Sequence, residues 1–139
     1  MFDEQMIHGD YLESRRSGEP GAVRAKLRLP WYRSLPLSCI ERIDVEIDGR
    51  PIPPEAIALR TNGHVHPVAE LPQLHEVEWF VLDALDLDLT PESELAPGAH
   101  RVSVGLQMRI PYGDKDFGRF EFVQTARCSK DLELVGRDA

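Results

Sequence analysis

The sequence predicts an all-β protein, a single-domain antiparallel β-sandwich of jelly-roll-like form spanning residues 1–139. Three observations lead there. Short runs alternate apolar and polar residues with the period of two that a half-buried strand requires. Proline- and glycine-bearing turns separate those runs, as they do in sandwiches and barrels. No segment carries a sustained apolar stripe at helical spacing.

Met1 to Gly21 set no clear period, and a short lead-in strand or arm runs into the polar, turn-rich stretch Ser14 to Gly21. From there Val23, Ala25, Leu27 and Leu29 alternate with Arg24, Lys26 and Arg28, a half-buried strand with a basic outer face. Ile43, Val45 and Ile47 alternate with Asp44, Glu46 and Asp48, and Asp48-Gly49 supplies the positive φ values of a tight type I′ hairpin. The return strand, Arg50-Pro51-Ile52-Pro53-Pro54, can only be short or at an edge because proline cannot join a central ladder. Further strands are expected over Glu55–Thr61, turning at Asn62-Gly63, and over His64–Leu71. Val77, Trp79 and Val81 then face one side with Phe80 and Leu82 on the other, a strand that is central or awaits cover by a partner. Leu85, Leu87 and Leu89 alternate with Asp86 and Asp88, two carboxylates read as a solubilising outer face. After the Pro97-Gly98 turn, Arg101–Ile110 forms a strand, Tyr112–Gly118 a polar loop, Phe120–Thr125 a penultimate strand and Leu132–Val135 the last.

A hydrophobic content of 42% and charged content of 29% describe an ordinary globular chain, long enough to bury a substantial core. The net charge of −8 speaks against general nucleic-acid binding, which needs a basic face. No apolar run approaches a membrane span, and the N-terminus lacks the basic and apolar regions of a signal peptide. Cys39 and Cys128 fit neither a CxxC motif nor a disulfide framework, so both are expected as buried free thiols of a cytoplasmic protein.

The stretch Leu29-Pro30-Trp31-Tyr32-Arg33-Ser34-Leu35-Pro36-Leu37-Ser38 interrupts this alternation. Each proline fixes its own φ and pushes the residue before it out of helix. The result is a stiff, aromatic loop with a permanent positive charge, which loses little entropy on binding. The stretch reads equally well as a hydrophobic plug closing one end of a sandwich, with Arg33 paired to a carboxylate.

His64-Val65-His66 with Glu70 places two imidazoles on one strand face and an oxygen ligand nearby, as in the first cupin motif. The match is partial, since Ala58 stands where a cupin has glycine and Pro97-Gly98-Ala99-His100 shortens the second motif. Asp114-Lys115-Asp116 is a charged loop tip. Ser34, Ser38 and Ser103 lack a nucleophile elbow or a neighbouring base, and no glycine-rich phosphate loop is present. No self-sufficient active site emerges.

Arg28 to Glu41, the Val45-Glu46-Ile47-Asp48-Gly49 run, the opening Met1-Phe2-Asp3, and Pro97-Gly98 with His100 leading into Val104 to Tyr112 resemble, in order and at compatible length, the β subunit of bacterial C-glycoside deglycosidases. Trp31 stands where tyrosine is more usual and Ser34 where glycine is. The resemblance implies a β-sandwich accessory subunit bound to a larger α subunit, a sugar isomerase-like TIM barrel. That partner carries the divalent metal, manganese by expectation, and the histidine general base. It implies a carbon–carbon lyase acting on 3-oxo-C-glucosides of aromatic aglycones, with substrate at or near the subunit interface of a higher hetero-oligomer. No catalytic or metal-ligating residue and no cofactor is then expected in this chain, and Trp31, Tyr32, Arg33, Trp79 and Phe80 are the binding or interface residues. Two other readings stand beside it. One is a stand-alone carbohydrate-binding module stacking sugars on Trp31, Tyr32 and Trp79, and the other a small cupin-like metalloenzyme using His64, His66 and Glu70.

Overall fold

The computed structural model describes residues 6–14, 21–30, 34–61, 63–79, 83–91, 95–114 and 118–135, with the backbone alone for 111–114 and 118–122. These residues form eleven strands: β1 (Ile7–Ser14), β2 (Val23–Arg28), β3 (Leu35–Pro36), β4 (Ile40–Ile47), β5 (Arg50–Ile52), β6 (Ile57–Thr61), β7 (His64–Pro67), β8 (Glu78–Trp79), β9 (Ala84–Leu89), β10 (Gly98–Asp114) and β11 (Gly118–Val135). Nine join in one sheet in the order β5-β4-β10-β11-β1-β2-β9-β6-β7, and β3 pairs with β8 in a small second sheet. The large sheet curls about a single core. Ile43 and Val45 of β4 belong to the same buried cluster as Leu87 of β9 and Leu59 of β6. The all-β, sandwich-like class read from the alternation is the one observed.

Every pairing in the large sheet is antiparallel except that of β1 with β11, where Tyr11, Leu12 and Glu13 lie opposite Glu133, Leu134 and Val135. Between its two pairing segments with β2, strand β1 sets residues 9–12 against Ala25 alone, a wide bulge passing through Gly9 at φ 84°. Lys130 of β11 ties that bulge down, its Nζ donating to the Gly9 carbonyl and lying 3.1 Å from Asp10.

The Asp48-Gly49 turn has positive φ at both positions, 52° and 80°, as a type I′ hairpin demands. Proline-bearing β5 lies at one edge of the sheet. Elsewhere the alternation misplaces boundaries. The expected strand over Glu55–Thr61 begins only at Ile57, because Pro54 opens a turn of 3-10 helix through Ala56. The extended run expected from His64 to Leu71 stops at Pro67 and gives way to a 3-10 helix over Val68–Gln73. Leu71 is its one fully buried side chain, so a single anchor replaces an alternating face. The loop expected over Tyr112–Gly118 is shorter, since Tyr112–Asp114 continue β10 and Gly118 opens β11. The two last strands are one. Gln124, Ala126, Cys128, Lys130 and Leu132 keep the same parity without a proline or glycine, so nothing ends the ladder between them. Of the strand expected around Trp79, Glu78 and Trp79 are observed, while Phe80–Leu82 lie outside the described residues, as do Lys115 and Asp116. Cys39 and Cys128 are buried free thiols. No helix of the described residues is long and apolar enough to cross a membrane.

Candidate functional site

Three connections leave the sheet at one end. In the ladder Arg28 pairs with Ala84, Arg60 with Asp86 and Thr61 with His64. The segments after Arg28, before Ala84 and between Thr61 and His64 therefore emerge side by side. The proline-bracketed loop leaves from the first of these and returns along β8, where Leu35 pairs with Trp79 and Pro36 with Glu78. Backbone bonds from Leu37 to the Val77 carbonyl (2.8 Å) and from Ser38 to the Leu74 carbonyl (3.2 Å) fix the return.

Trp79 organises this end. It is 2% exposed, and its indole N–H donates to the Asp83 carbonyl at 3.2 Å, so one polar bond satisfies a large apolar body. Its ring is covered by the chain itself and presents no open face to a sugar or a partner. Of the two alternatives for this strand, central or awaiting cover, Trp79 itself is already covered and fills the core, so it is not available as a stacking or interface surface. Trp31, Tyr32, Arg33 and Phe80 lie outside the described residues. Of the described residues beside them, Ser34 precedes β3 and Asp83 precedes β9.

A depression of about 210 Å³ opens beside Trp79, with Lys26, Arg60, Glu78, Asp83 and Asp86 among its lining. Lys26, Asp86 and Arg60 of that lining belong to a ladder of charges on β2, β9 and β6 that continues beyond it to Arg24 and Asp88. Arg24 Nε donates to Asp88 at 2.8 Å, Arg60 Nε lies 3.4 Å from the other Asp88 oxygen, and Lys26 meets Asp86 at 3.3 Å. Asp88 is 3% exposed, so this carboxylate is a buried bridge between two guanidinium groups and not the solubilising charge that its place on an outer face suggested. The bond to Asp88 raises the Arg24 pKa above its ordinary value, outweighing burial. Such fixed, paired charges offer hydrogen bonds to a polar ligand without having to reorganise.

His64 is exposed on edge strand β7, His66 is half-buried with Nε2 3.4 Å from Thr61 Oγ1, and Glu70 is exposed on the 3-10 helix. Among the described residues no three His, Cys, Asp or Glu gather in a group that could hold a metal.

One constellation escaped the sequence. His100, 8% exposed, places Nδ1 2.6 Å from Asp48 Oδ2 and Nε2 2.6 Å from the Ala96 carbonyl oxygen. Both partners are acceptors, so both ring nitrogens donate and the ring is an imidazolium. Its pKa is raised, first by Asp48 and then by Ala96, against the effect of burial. Asp48 is lowered in turn by His100 and by the Arg101 N–H at 2.9 Å. The clasp joins the β4–β5 turn to the start of β10, at 52 residues' separation. The turn signals at Asp48-Gly49 and Pro97-Gly98 mark its two halves, but nothing local pairs them.

The described residues thus form an all-β frame with a ladder of paired charges on β2, β9 and β6. The model of the C-glycoside deglycosidase beta subunit family matches residues 2–112, most of the chain, which includes β1 through most of β10. The chain belongs to that family and is a subunit of a deglycosidase. It is 40% identical over 112 residues to the 3'-dehydrocarminate deglycosidase beta subunit of a Microbacterium species, covering 81% of each chain. It is 38% identical to a C-glycoside deglycosidase beta subunit of Microbacterium trichothecenolyticum over 70% of this chain and 72% of the relative. A third, from Arthrobacter globiformis, is 34% identical over 70% of this chain and 75% of its own length.

Proposed function

We propose that this chain is the small subunit of a heteromeric C-glycoside deglycosidase that splits the sugar–aglycone carbon–carbon bond of a 3-oxo-C-glucoside by β-elimination. Family membership over residues 2–112 is the observation that carries the reading. A relative named for a 3'-dehydro substrate supports the 3-oxo sugar.

The chemistry accounts for a helper subunit. An aryl carbon is a poor leaving group, so direct hydrolysis fails. A ketone at C3, installed beforehand by a separate oxidation, acidifies the C2 proton. A base on the partner, a TIM-barrel alpha subunit, removes that proton, and its electron pair forms the C1–C2 double bond as the C1–aryl bond breaks. The released aryl carbon takes up a proton, leaving an unsaturated 3-keto anhydro sugar. A divalent metal on the alpha subunit, manganese by expectation, would supply the Lewis acidity that stabilises enolate character. The work of the present chain is positional. The Trp31-Tyr32-Arg33 loop packs at the alpha-subunit interface near the active-site mouth, stiffened by Pro30 and Pro36 and held on its return side by the Leu35–Trp79 pairing. Arg and aromatic side chains are the usual anchors of such contacts, at about 2 kcal/mol or more each.

The test is Trp31→Ala and Arg33→Ala in the co-expressed complex. Loss of assembly or turnover is expected. Unchanged values in both remove the loop from the interface, and full turnover of a 3-oxo-C-glucoside by the isolated chain ends the subunit reading.

A further inference from the structure

Strands β10 and β11 outrun the strands beside them. They stay paired from Gly98 opposite Leu134 to Asp114 opposite Gly118. On the far side of β10, β4 makes its last rung where Ile40 meets Met108. On the far side of β11, β1 pairs with Glu133, Leu134 and Val135. Among the described residues, the rungs from Arg109 with Val123 to Asp114 with Gly118 therefore have no third strand on either side. They make a two-stranded ribbon about 17 Å long, at about 3.4 Å per residue.

The ribbon is rooted in the core, where Met108 is fully buried and Ile110 is 3% exposed. Residues opposite each other in a ladder share a face, and the faces alternate along each strand. The rungs of Ile110 with Phe122 and of Tyr112 with Phe120 thus carry the parity of Met108 past the end of β4, and all four residues are apolar or aromatic. The other parity starts with Val123, which is 56% exposed opposite Arg109. A hairpin without a third strand is marginally stable at best in water. An apolar row along such a hairpin calls for a cover that the described sheet does not supply.

The relatives of this chain are named as beta subunits, so the cover at hand is the companion chain. The root of the ribbon also adjoins the contact proposed above. Ile40, the rung partner of Met108, follows directly on Leu37–Cys39, the return side of the proline-bracketed stretch. We propose that the ribbon of residues 109–123 is an arm that docks on the alpha subunit by the face bearing Tyr112 and Phe120. Aromatic residues are enriched in interface cores, and a ladder already paired has less chain entropy to lose than a loose loop. This inference rests on the heteromeric reading and adds a contact to it, separate from the Trp31-Tyr32-Arg33 loop.

Hydrogen exchange at the amides of residues 118–123, in the isolated chain and in the co-expressed complex, tests it. In the isolated chain these amides should exchange faster than those of residues 126–132 of the same strand, and in the complex they should slow tenfold or more. Tyr112→Ser combined with Phe120→Ser should weaken subunit affinity tenfold or more at an unchanged melting temperature of the isolated chain. Val123→Ser, on the opposite parity, should weaken it much less, and an equal loss there overturns the assignment of the face. Exchange needs no variant, so it decides even where the double variant folds poorly. Equal exchange in the complex and the isolated chain overturns the proposal and leaves the complex standing. Slow exchange already present in the dilute isolated chain means that the chain covers its own ribbon, and protection that grows with its concentration means that a second copy does; either overturns the proposal. Failure of the unmodified chains to associate at all overturns the heteromeric reading and this one with it.

Discussion

His100 and Asp48 show what a single pair of side chains contributes when neither is remarkable in sequence. The imidazolium is stabilised in the fold, so its contribution is fully present below its unfolded pKa near 6.5 and is lost as pH rises through the raised folded value. Asp48 works in the opposite sense, contributing above its unfolded value of 3.8 and losing that contribution as pH falls through the lowered one. The clasp is therefore complete between about pH 4 and 6. Melting temperature measured from pH 6 to pH 9 should fall more in the wild type than in His100→Gln, whose profile should be flatter over that range. Asp88 makes a sharper case. Asp88→Asn leaves Arg24 and Arg60 facing a neutral amide in a site that is 3% exposed, and about 3 kcal/mol of stability should be lost in urea unfolding. Arg24→Met added to it should recover part of the loss, since one of the two guanidinium groups facing the amide is then gone. Alternation correctly puts Asp88 on the outer face. That this face is covered follows from Arg24 and Arg60, which lie 64 and 28 residues away and become neighbours only in the sheet.

Strands were legible wherever alternation and turn chemistry agreed. The β4–β5 hairpin is the best instance, since Asp48-Gly49 announces its own geometry. Gly49→Ala, forced to hold φ at 80°, should destabilise by about 1 kcal/mol, measurable as a lower midpoint of denaturation at unchanged slope. Legibility failed where proline set local geometry, as at Pro54 and Pro67, and where one buried residue such as Leu71 anchors a turn without any period. Around Trp79 the sequence is apolar on both faces and leaves open whether the strand is central or awaits cover, and only the burial of Trp79 beside Leu35 decides it for that residue. Trp79→Ala should cost about 3–5 kcal/mol. Hydrogen exchange should then quicken at the Leu37 and Ser38 amides, whose acceptors Val77 and Leu74 belong to the segment that Trp79 pins.

At the scale of the whole molecule, composition and pattern gave the class, and the order of strands was beyond their reach. No local signal says that the first described strand lies beside the last. The candidate site divides the same way. The proline-bracketed stretch stands out in sequence, although Trp31, Tyr32 and Arg33 lie outside the described residues, whereas the charge ladder arises only from register across β2, β9 and β6. Leu132→Ala, at a fully buried position of β11, should lower stability by about 2–5 kcal/mol, seen as a single transition by two spectroscopic probes, because the two halves of the sheet share its core. The same arrangement bears on how the polypeptide is made. Glu133, Leu134 and Val135 reach daylight from the ribosome after every other described strand, yet they stitch the middle of the sheet, along the β1 seam. Nascent chains arrested short of them must wait with an open seam, and they should be cut by protease where the released protein is not.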